Sequence, residues 1–443
     1  MMKFSLKPLT MVALLGGAAF VMSCGGGAMP EGEGAQAEGE GAQAGGDVAQ
    51  AVGDGAAPSY AFDPGWPKPL PNKWKMGGIT GLAVDADDNI WVLTRPNDMR
   101  DIELLAELTP PGAECCVRPH TMIHFDQEGN VIGSFDPQQG HGMDVDSEGF
   151  VYIGQDTVRK YDPNTGEVVG EVPRAPEREG GRPVGLLTRA PIVPGRGGPG
   201  PTGTYPQPPR GGGGGDPAAR AAAAEEAAAF LAKYPPTTPM IVGQIEEVRI
   251  DESANELYAT DNYFGRVMVF DLTTFEFKRG WGAYGHTLSE ISTDDADREY
   301  TPGGEMQKEF GGHLTLNISN DGLVYAADRN GNRVQVFNKD GTYVKEFSIG
   351  TMTSNIRPAR GTAGGVAFSG DPEQRVLFVS DITNNKIWFL NREDGEVLGS
   401  IGQHGENGGQ FFGLHMIAND SQGNIYTGEV FNGERVQRFV PVN

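Results

Sequence analysis

The feature that most constrains the fold is a repeated unit, which occurs six times between residues 78 and 443. Each copy contains a strand of alternating apolar and polar residues, a turn rich in Asp, Asn and Gly, and a second strand. Alternation with a period of two between such turns is typical of β-strands. The copies begin at Gly78, Gly140, Ile245, Gly311, Gly364 and Gly413. A β-rich repeat of this length predicts a radial or stacked β-architecture.

The fourth and fifth copies show the unit most completely, because each continues past a turn into a fourth strand. The sixth copy stops at Asn443 after three strands. We therefore expect the segment from Trp66 to Met76 to supply the outermost strand of that copy, which closes the ring and protects the sheet edges. The spacing over residues 62–443 resembles that of NHL repeats. The predicted fold is all-β, a six-bladed β-propeller of the NHL-repeat type that occupies residues 59–443.

The first residues resemble the export signal of a bacterial lipoprotein. A basic region with Lys3 precedes an apolar run over residues 9–21, and Cys24 follows. The run is shorter than the roughly 20 residues that span a bilayer, and it ends at a cleavage-type sequence. We expect residues 1–23 to be a signal peptide and Cys24 to be lipidated; an uncleaved anchor and a simple secretory signal are the alternatives. The protein would then be exported and anchored to the bacterial cell envelope, at the outer membrane or the cell surface.

Charge and composition limit the partners of the protein. Residues 24–58 have no aromatic residue and only acidic charges, so we expect a flexible tether there. The whole chain has a net charge of -24, whereas nucleic-acid binding requires clustered Lys and Arg. We therefore expect no nucleic-acid partner and contact with the membrane only through the lipid. A protein partner within the envelope is compatible with this location.

Two insertions interrupt the repeat, at residues 173–242 and 286–310. The first contains an Ala-rich segment in which Asp216 can cap a helix, Pro217 can occupy its first turn and Pro235 can stop it. This predicts one inserted helix on a long loop, which is either a lid or an excursion without function. The second insertion is polar, and its sequence predicts nothing specific.

The cysteines exclude a disulfide framework. If Cys24 is lipidated, only Cys115 and Cys116 remain, and adjacent cysteines cannot link distant parts of a fold. In an oxidising compartment the pair forms either a vicinal disulfide or two separate thiols. The sequence leaves both alternatives open.

Three of the seven histidines occupy matching positions in the repeat. His141, His313 and His415 lie at the start of the innermost strand of the second, fourth and sixth copies. Innermost strands line the central channel of a propeller, so the three imidazoles are expected to converge on its axis. Three nitrogen ligands with an open fourth position form a catalytic zinc arrangement. The alternative is three polar residues that hydrogen-bond to the backbone in a wet channel.

Three further residues are expected at the same mouth of the channel. Arg95, Tyr263 and Arg329 each follow the second strand of a copy, and this end of a hairpin returns to the side where the first strand began. Two guanidinium groups beside a metal favour an anionic substrate such as a carboxylate, and a phenol can relay a proton. Singly, each residue also fits a structural role at the rim. Glu246 or Glu247 is either a carboxylate that acts on the metal ligands or a solvated strand end.

This set of residues resembles the active site of the peptidyl-α-hydroxyglycine α-amidating lyases. In that family a six-bladed propeller holds zinc through three histidines from alternate blades, as the three histidines above are arranged. The resemblance assigns catalysis to Tyr263 and substrate contacts to Arg95 and Arg329. It implies cleavage of the C–N bond of an α-hydroxyglycine, giving an amide and glyoxylate. We therefore predict a zinc-dependent lyase-like enzyme that acts on an α-hydroxy amide or hydroxyglycine-type carboxylate, either a small molecule or a peptide.

The chain departs from that family at its structural calcium site. The family has an Asp directly after its third histidine, where this chain has Met416, and the carbonyl donors would map to Leu82 and Met143. The missing carboxylate weakens the case for calcium. The main alternative function is a non-enzymatic propeller that binds a protein, peptide or glycan at the cell envelope. A lactonase with a carboxylate- and Asn-rich metal site is disfavoured by the three histidines.

Overall fold

The computed structural model of the protein describes residues 57–176, 217–354 and 361–442. The predicted signal peptide, Cys24 and the predicted tether up to residue 56 lie outside these ranges. Residues 177–216 of the first insertion lie outside them as well. Within the described ranges, no helix is long and apolar enough to cross a membrane.

Strands dominate the described residues and form six antiparallel sheets of four strands each. The innermost strand of each sheet contacts the innermost strand of the next sheet along the chain, and that of the last sheet contacts that of the first. The six sheets therefore close into a ring. The all-β class and the six-bladed β-propeller predicted from the repeat are confirmed.

The first half of the ring contains blades one to three. A short strand, β1 (Ser59–Phe62), precedes them. Blade one comprises β2 (Gly78–Val84), β3 (Ile90–Arg95), β4 (Met122–Phe125) and β5 (Val131–Phe135). Blade two comprises β6 (Met143–Val145), β7 (Val151–Gly154), β8 (Val158–Tyr161) and β9 (Val168–Glu171). Blade three comprises β10 (Ile245–Asp251), β11 (Glu256–Asp261), β12 (Arg266–Asp271) and β13 (Phe277–Trp281).

The second half of the ring contains blades four to six. Blade four comprises β14 (Leu314–Ile318), β15 (Val324–Asp328), β16 (Arg333–Phe337) and β17 (Tyr343–Ser348). Blade five comprises β18 (Gly365–Phe368), β19 (Val376–Asp381), β20 (Lys386–Asn391) and β21 (Val397–Ile401). Blade six comprises β22 (Leu414–Asn419), β23 (Ile425–Glu429) and β24 (Val436–Val442), together with β1.

Helical structure lies between the strands. The Ala-rich segment forms one α-helix, α1 (Pro217–Lys233), which begins at the expected proline and ends two residues before Pro235. The helix predicted inside the first insertion is therefore confirmed. Short 3-10 helices occupy several loops: Pro71–Lys73, Pro96–Asp98, Asp101–Glu107, Glu252–Ala254, Ala283–Gly285, Asp295–Arg298 and Arg329–Gly331.

The ring closes through β1 and not through the segment from Trp66 to Met76. β1 pairs antiparallel with β24, with Phe62 opposite Phe439. The prediction that an N-terminal segment closes blade six is right, but the predicted strand is wrong. Trp66 is instead buried, with its ring 4.9 Å from that of Tyr426. The prolines that follow Trp66 have no backbone N–H and cannot donate the hydrogen bonds of a paired strand. The apolar character of this segment therefore reflects core packing.

Apolar clusters fill the spaces between neighbouring blades. Six such clusters occur in the described residues, and each combines strands of two adjacent blades. The turns within the blades depend on glycine: Gly149 (φ 87°) and Gly423 (φ 81°) adopt a left-handed conformation that other residues disfavour. Because the clusters join blade to blade, they fix the inner strands and their channel side chains relative to one another.

A disulfide joins the adjacent residues Cys115 and Cys116 in the loop between β3 and β4. Of the two alternatives that the sequence left open, the structure thus contains the vicinal disulfide and not two separate thiols. Cys115 is exposed. Because the two cysteines are neighbours in the chain, their bond links no distant parts of the fold.

Candidate metal centre

The three predicted histidines meet in the channel near one mouth of the propeller. His141 lies just before β6, His313 directly precedes β14, and His415 is the second residue of β22. Their imidazole rings are nearly perpendicular to one another, with centroids 4.9, 4.9 and 5.0 Å apart. One nitrogen atom from each ring lies within 4.8 Å of the other two. Blades two, four and six therefore supply one cluster of donor atoms.

Hydrogen bonds decide which nitrogen of two rings faces the others. The Nδ1 of His141 donates to the carbonyl of Glu246 at 2.7 Å. The Nδ1 of His415 donates to the carbonyl of Ile79 at 3.0 Å. Because a carbonyl can only accept, both Nδ1 atoms carry the hydrogen and both Nε2 atoms present lone pairs. These two Nε2 atoms are 3.3 Å apart, and the Nε2 of His313 is 3.0 Å from that of His415.

All three imidazoles are held in the neutral form. Burial lowers the pKa of His141 and of His313 well below the usual value. Burial also lowers the pKa of His415 to about 3. The positive charge of Arg329 acts in the same direction on all three rings. Neutral imidazole is the form that binds a metal ion.

Local backbone irregularities aim side chains at this cluster. The pairing of β22 with β23 shifts at His415, which is an extra residue on its strand. In β10 the shift spans Glu246 and Glu247, so both carboxylates are buried at the channel although they are consecutive. Regular strand pairing would turn one of them to the other face. His313 adopts a left-handed backbone (φ 55°), which a residue with a side chain disfavours.

Glu246 lies directly beside the histidines. Its Oε2 is 3.4 Å from the Nε2 of His141 and 3.5 Å from the Nε2 of His313, and it has no hydrogen-bond partner among the described residues. Its Oε1 accepts a hydrogen bond from Asn262 at 3.0 Å, and the side-chain oxygen of Asn262 accepts one from the backbone of His313 at 2.7 Å. Burial raises the pKa of Glu246 to about 7, although two guanidinium groups oppose the rise. Glu246 is one of the residues predicted from the sequence, whereas no sequence pattern indicated Asn262.

The three other predicted residues surround the cluster at different positions. Tyr263 and Arg329 follow β11 and β15 and line the same cavity as His313. Arg95 is the last residue of β3 and is not among the residues that line this cavity. Its half-buried guanidinium makes no hydrogen bond or ion pair with a described residue, and its charge lowers the pKa of His141. Two of the predicted residues therefore line the cavity beside His313, whereas Arg95 is outside its lining and acts through its charge on both His141 and His415.

Buried ion pairs hold the turns that follow β11 and β15. Asp261 accepts a hydrogen bond from Arg266 at 2.8 Å and another from the backbone of Tyr263 at 3.1 Å. Asp328 and Arg333 repeat the pair at 3.1 Å in blade four, and all four charged side chains are fully buried. In both blades the Arg follows the Asp by five residues, so the repeat itself fixes the conformation of these turns.

A cavity of about 430 Å³ lies beside His313, and both insertions contribute to its wall. The sequence left a role of the first insertion open and indicated none for the second, because both interrupt the repeat that assigned the other positions. The lining residues are Leu231, Glu246, Asn262, Tyr263, Phe264, Thr293, Asp295, Arg298, Gly311, Gly312, His313, Arg329 and Asn330. Leu231 comes from α1, and Thr293, Asp295 and Arg298 come from the second insertion.

The same buried arginines tie the insertions to the cavity wall. Arg266 donates to the carbonyl of Met240 at 2.8 Å, where the first insertion returns to blade three. Arg333 donates to the carbonyl of Glu309 at 2.8 Å, where the second insertion ends. The C-terminal end of each insertion is therefore fixed to the blade that carries the corresponding turn.

The place to which the resemblance assigned calcium is occupied by the guanidinium group of Arg249. Arg249, in β10, donates to the carbonyl of Met143 at 2.7 Å and lies 3.0 Å from the carboxylate of Glu247. Burial raises the pKa of Glu247 to about 7, and Arg249 opposes the rise. Met416 is buried in an apolar cluster and offers no oxygen from its side chain. Because a guanidinium already occupies one expected carbonyl donor, these residues do not fit calcium.

Comparison with known proteins adds little to this geometry. No family model matches the chain, and no curated protein matches it. Among solved structures, the chain is similar to a protein of unknown function from Bacteroides thetaiotaomicron, with 14% sequence identity and a TM-score of 0.46 over 83% of this chain and 70% of that chain. A similarity at this level carries no information about function.

Proposed function

We propose that the protein is a zinc-dependent lyase-like enzyme that cleaves the C–N bond of an α-hydroxy amide or hydroxyglycine-type carboxylate. The observation that carries the proposal is the 3.3 Å approach of two acceptor nitrogens, the Nε2 atoms of His141 and His415. Two lone pairs at this distance repel each other unless a cation lies between them, and burial disfavours a proton there. Two nitrogens bound to one tetrahedral zinc ion are about 3.3 Å apart for Zn–N bonds of about 2.0–2.1 Å. The donor set therefore fits zinc.

The histidines and the side chains around them have different roles in the proposed reaction. The three histidines would hold the ion, which when bound supplies a Lewis acid that polarises the substrate hydroxyl. Arg95 and Arg329 bind and orient the carboxylate of the substrate, since guanidinium and carboxylate groups pair through two parallel hydrogen bonds. Glu246, at 3.4 and 3.5 Å from two imidazoles, adds one negative charge next to the donor set.

Tyr263 is the residue that moves the proton. Its phenol oxygen accepts the proton of the substrate hydroxyl while the phenol passes its own proton to the leaving nitrogen, and the electron pair of the substrate O–H bond forms the carbonyl of the glyoxylate product. The C–N bond breaks, and its electron pair leaves with the nitrogen. That nitrogen takes the proton of the phenol, which yields the amide, and Tyr263 is left as a neutral phenol again. No oxidant and no water are consumed, so the reaction is that of a lyase.

Metal content tests this proposal. The full-length chain, purified in detergent without chelator, is expected to contain about one zinc ion per chain by elemental mass spectrometry. His141→Ala/His313→Ala is expected to contain none. The control His120→Ala/His404→Ala removes two histidines outside the cluster and is expected to keep the zinc. Thermal unfolding followed by circular dichroism separates loss of metal from loss of fold.

Activity is measured on the same preparations. Zinc in the parent and the control, together with release of glyoxylate from an α-hydroxyglycine peptide, would support the lyase. A parent protein that binds no zinc even when zinc is supplied would contradict it. That result would favour a propeller that binds a protein, peptide or glycan without catalysis.

We also propose that the protein acts at the bacterial cell envelope, held there by a lipid on Cys24. The basis is the sequence of residues 1–24, which lies outside the described part of the structure. Cys24→Ala is expected to move the protein from the detergent phase to the aqueous phase of a detergent partition, with unchanged zinc content. Retention in the detergent phase of a variant chain that has lost residues 1–23 would exclude a lipid anchor at this cysteine.

A further inference from the structure

We infer that α1 forms an apolar subsite of the cavity, and that the substrate carries an apolar group on the acyl side of its amide. This inference rests on the proposed function and narrows its substrate class. Its starting point is the inserted helix, for which the sequence allowed either a lid or an excursion without function.

The side chains of α1 define one docking face. In the part of the helix whose side chains are described, the half-buried residues are Ala227, Phe230 and Leu231, and half-buried Tyr234 follows just beyond its end. The residues between them are exposed. A spacing of three and four residues places the four side chains on one side of a helix. α1 therefore docks on the propeller through a narrow stripe.

The stripe continues into the wall of the cavity. The ring of Phe230 lies 6.2 Å from that of Tyr263, which lies 4.8 Å from the ring of Phe264. Leu231, Tyr263 and Phe264 line the cavity that also contacts His313. Tyr263 nevertheless remains 42% exposed. An apolar group placed against α1 would cover part of this ring and remove apolar surface from water.

The rest of the inner cavity wall is polar, which gives a bound molecule a direction. Arg329, Asn330, Asn262 and Glu246 line it together with His313. A volume of about 430 Å³ lies toward the lower end of the range for small-molecule sites. The cavity thus suits a molecule of the size of an N-acyl amino acid, with its carboxylate at the polar wall and an apolar acyl group against α1.

Two carboxylates that differ only in their acyl group test this inference. N-benzoylglycine and N-acetylglycine share the amide and the carboxylate, and neither has the hydroxyl that cleavage requires. Isothermal titration of the zinc-loaded, full-length protein is expected to show binding of the benzoyl compound that is tighter on the order of tenfold. Leu231→Ser is expected to remove most of this preference, because it weakens binding of the benzoyl compound far more than binding of N-acetylglycine. Ala229→Ser, which introduces the same side chain on the exposed side of α1, is expected to keep the preference.

The outcomes separate the subsite from the proposed function. Equal affinity for the two compounds, a preference that survives in Leu231→Ser, or no binding of either compound would overturn the subsite. A protein that contains zinc but lacks the preference loses only the subsite, whereas a protein without zinc loses the proposed function and the subsite with it. Because α1 lies outside the blades, Leu231→Ser is expected to leave the unfolding temperature unchanged. If the temperature falls, Phe230→Ala is measured as a second variant, and the same loss of preference is expected for it.

Discussion

Glu246 and Glu247 are consecutive buried carboxylates in one irregular stretch of β10, yet their surroundings differ. Glu247 is 3.0 Å from Arg249, whose guanidinium also satisfies the carbonyl of Met143. Glu246 has one oxygen without a hydrogen-bond partner in the described residues, and this oxygen faces imidazole nitrogens. A buried charge without a partner is costly. The satisfied carboxylate is therefore part of the scaffold, and the unsatisfied one marks the candidate functional site.

Glu247 and Glu246 mark two levels of the channel, an inner one beside Arg249 and one at the mouth beside the histidines. The arginines of these two levels differ in the same way as the carboxylates. Arg249 is paired, whereas the guanidinium of Arg95 forms no ion pair within the described residues, and its charge lowers the pKa of His141. Arg329 also acts on the histidines and lines the cavity. One level of the channel is thus neutralised by its own side chains. The level at the mouth combines neutral imidazoles with positive charges, which suits a metal ion together with an anionic ligand.

The largest effect that this comparison predicts is on stability. Arg249→Met leaves Glu247 buried without its partner, and removal of one member of a buried ion pair costs about 3–5 kcal/mol. The matched control, Arg95→Met, is expected to change the free energy of unfolding by less than about 0.5 kcal/mol. Urea unfolding followed by tryptophan fluorescence measures both variants. Similar losses in the two variants would erase the distinction between the two levels of the channel.

A smaller effect is expected on the pH dependence of stability. Burial raises the pKa of Glu246 from 4.5 to about 7, so between these values the folded protein binds a proton that the unfolded chain releases. As the pH rises through this range, the zinc-free wild type is expected to lose about 2–3 kcal/mol relative to Glu246→Gln. The histidines titrate in both proteins, so the comparison isolates the change that the Glu246 carboxyl makes. Urea unfolding in chelator at about pH 4.5 and about pH 8 measures the change, and a difference that stays constant would show that Glu246 titrates normally.

The same variant is expected to bind zinc about 10–100-fold more weakly than the wild type. Glutamine keeps the size of Glu246 and can still accept a hydrogen bond from Asn262, but it removes the negative charge beside two imidazoles. Competition with a chromophoric chelator at neutral pH measures the affinity. Glu252→Gln, which removes an exposed carboxylate in the same blade, is the control and should bind zinc like the wild type. Unchanged affinity in Glu246→Gln would mean that its charge does not act on the metal.

The sequence predicted those parts of the site that follow the repeat. His141, His313 and His415 come together because the innermost strand of every blade begins at the same mouth, so register alone brings distant residues to one point. Tyr263 and Arg329 follow the same logic at the ends of the second strands. A pattern that recurs in each blade therefore carries three-dimensional information about its own positions.

The remaining parts lie where the repeat is interrupted. The insertions are held by hydrogen bonds from Arg266 and Arg333 to backbone carbonyls, and such acceptors leave no residue-specific signal in the sequence. The bulge in β10 turns both Glu246 and Glu247 to the channel, where simple alternation predicts only one of them. The closing strand was misplaced because β1 has only four residues, whereas the more apolar segment after it packs between blades.

The smallest effect that still distinguishes the two carboxylates is expected from Asn262→Ala. Asn262 donates to Glu246 and accepts from the backbone of His313, so it links the unsatisfied carboxylate to one histidine. Loss of these contacts is expected to cost about 1 kcal/mol of stability and to weaken zinc binding by less than about tenfold, because the charge of Glu246 remains. Asn384→Ala, which removes an amide that donates to Asp381 in blade five, is expected to bind zinc like the wild type. If Asn262→Ala also binds zinc like the wild type, the strand alone positions Glu246, and the contrast with Glu247 rests only on charge.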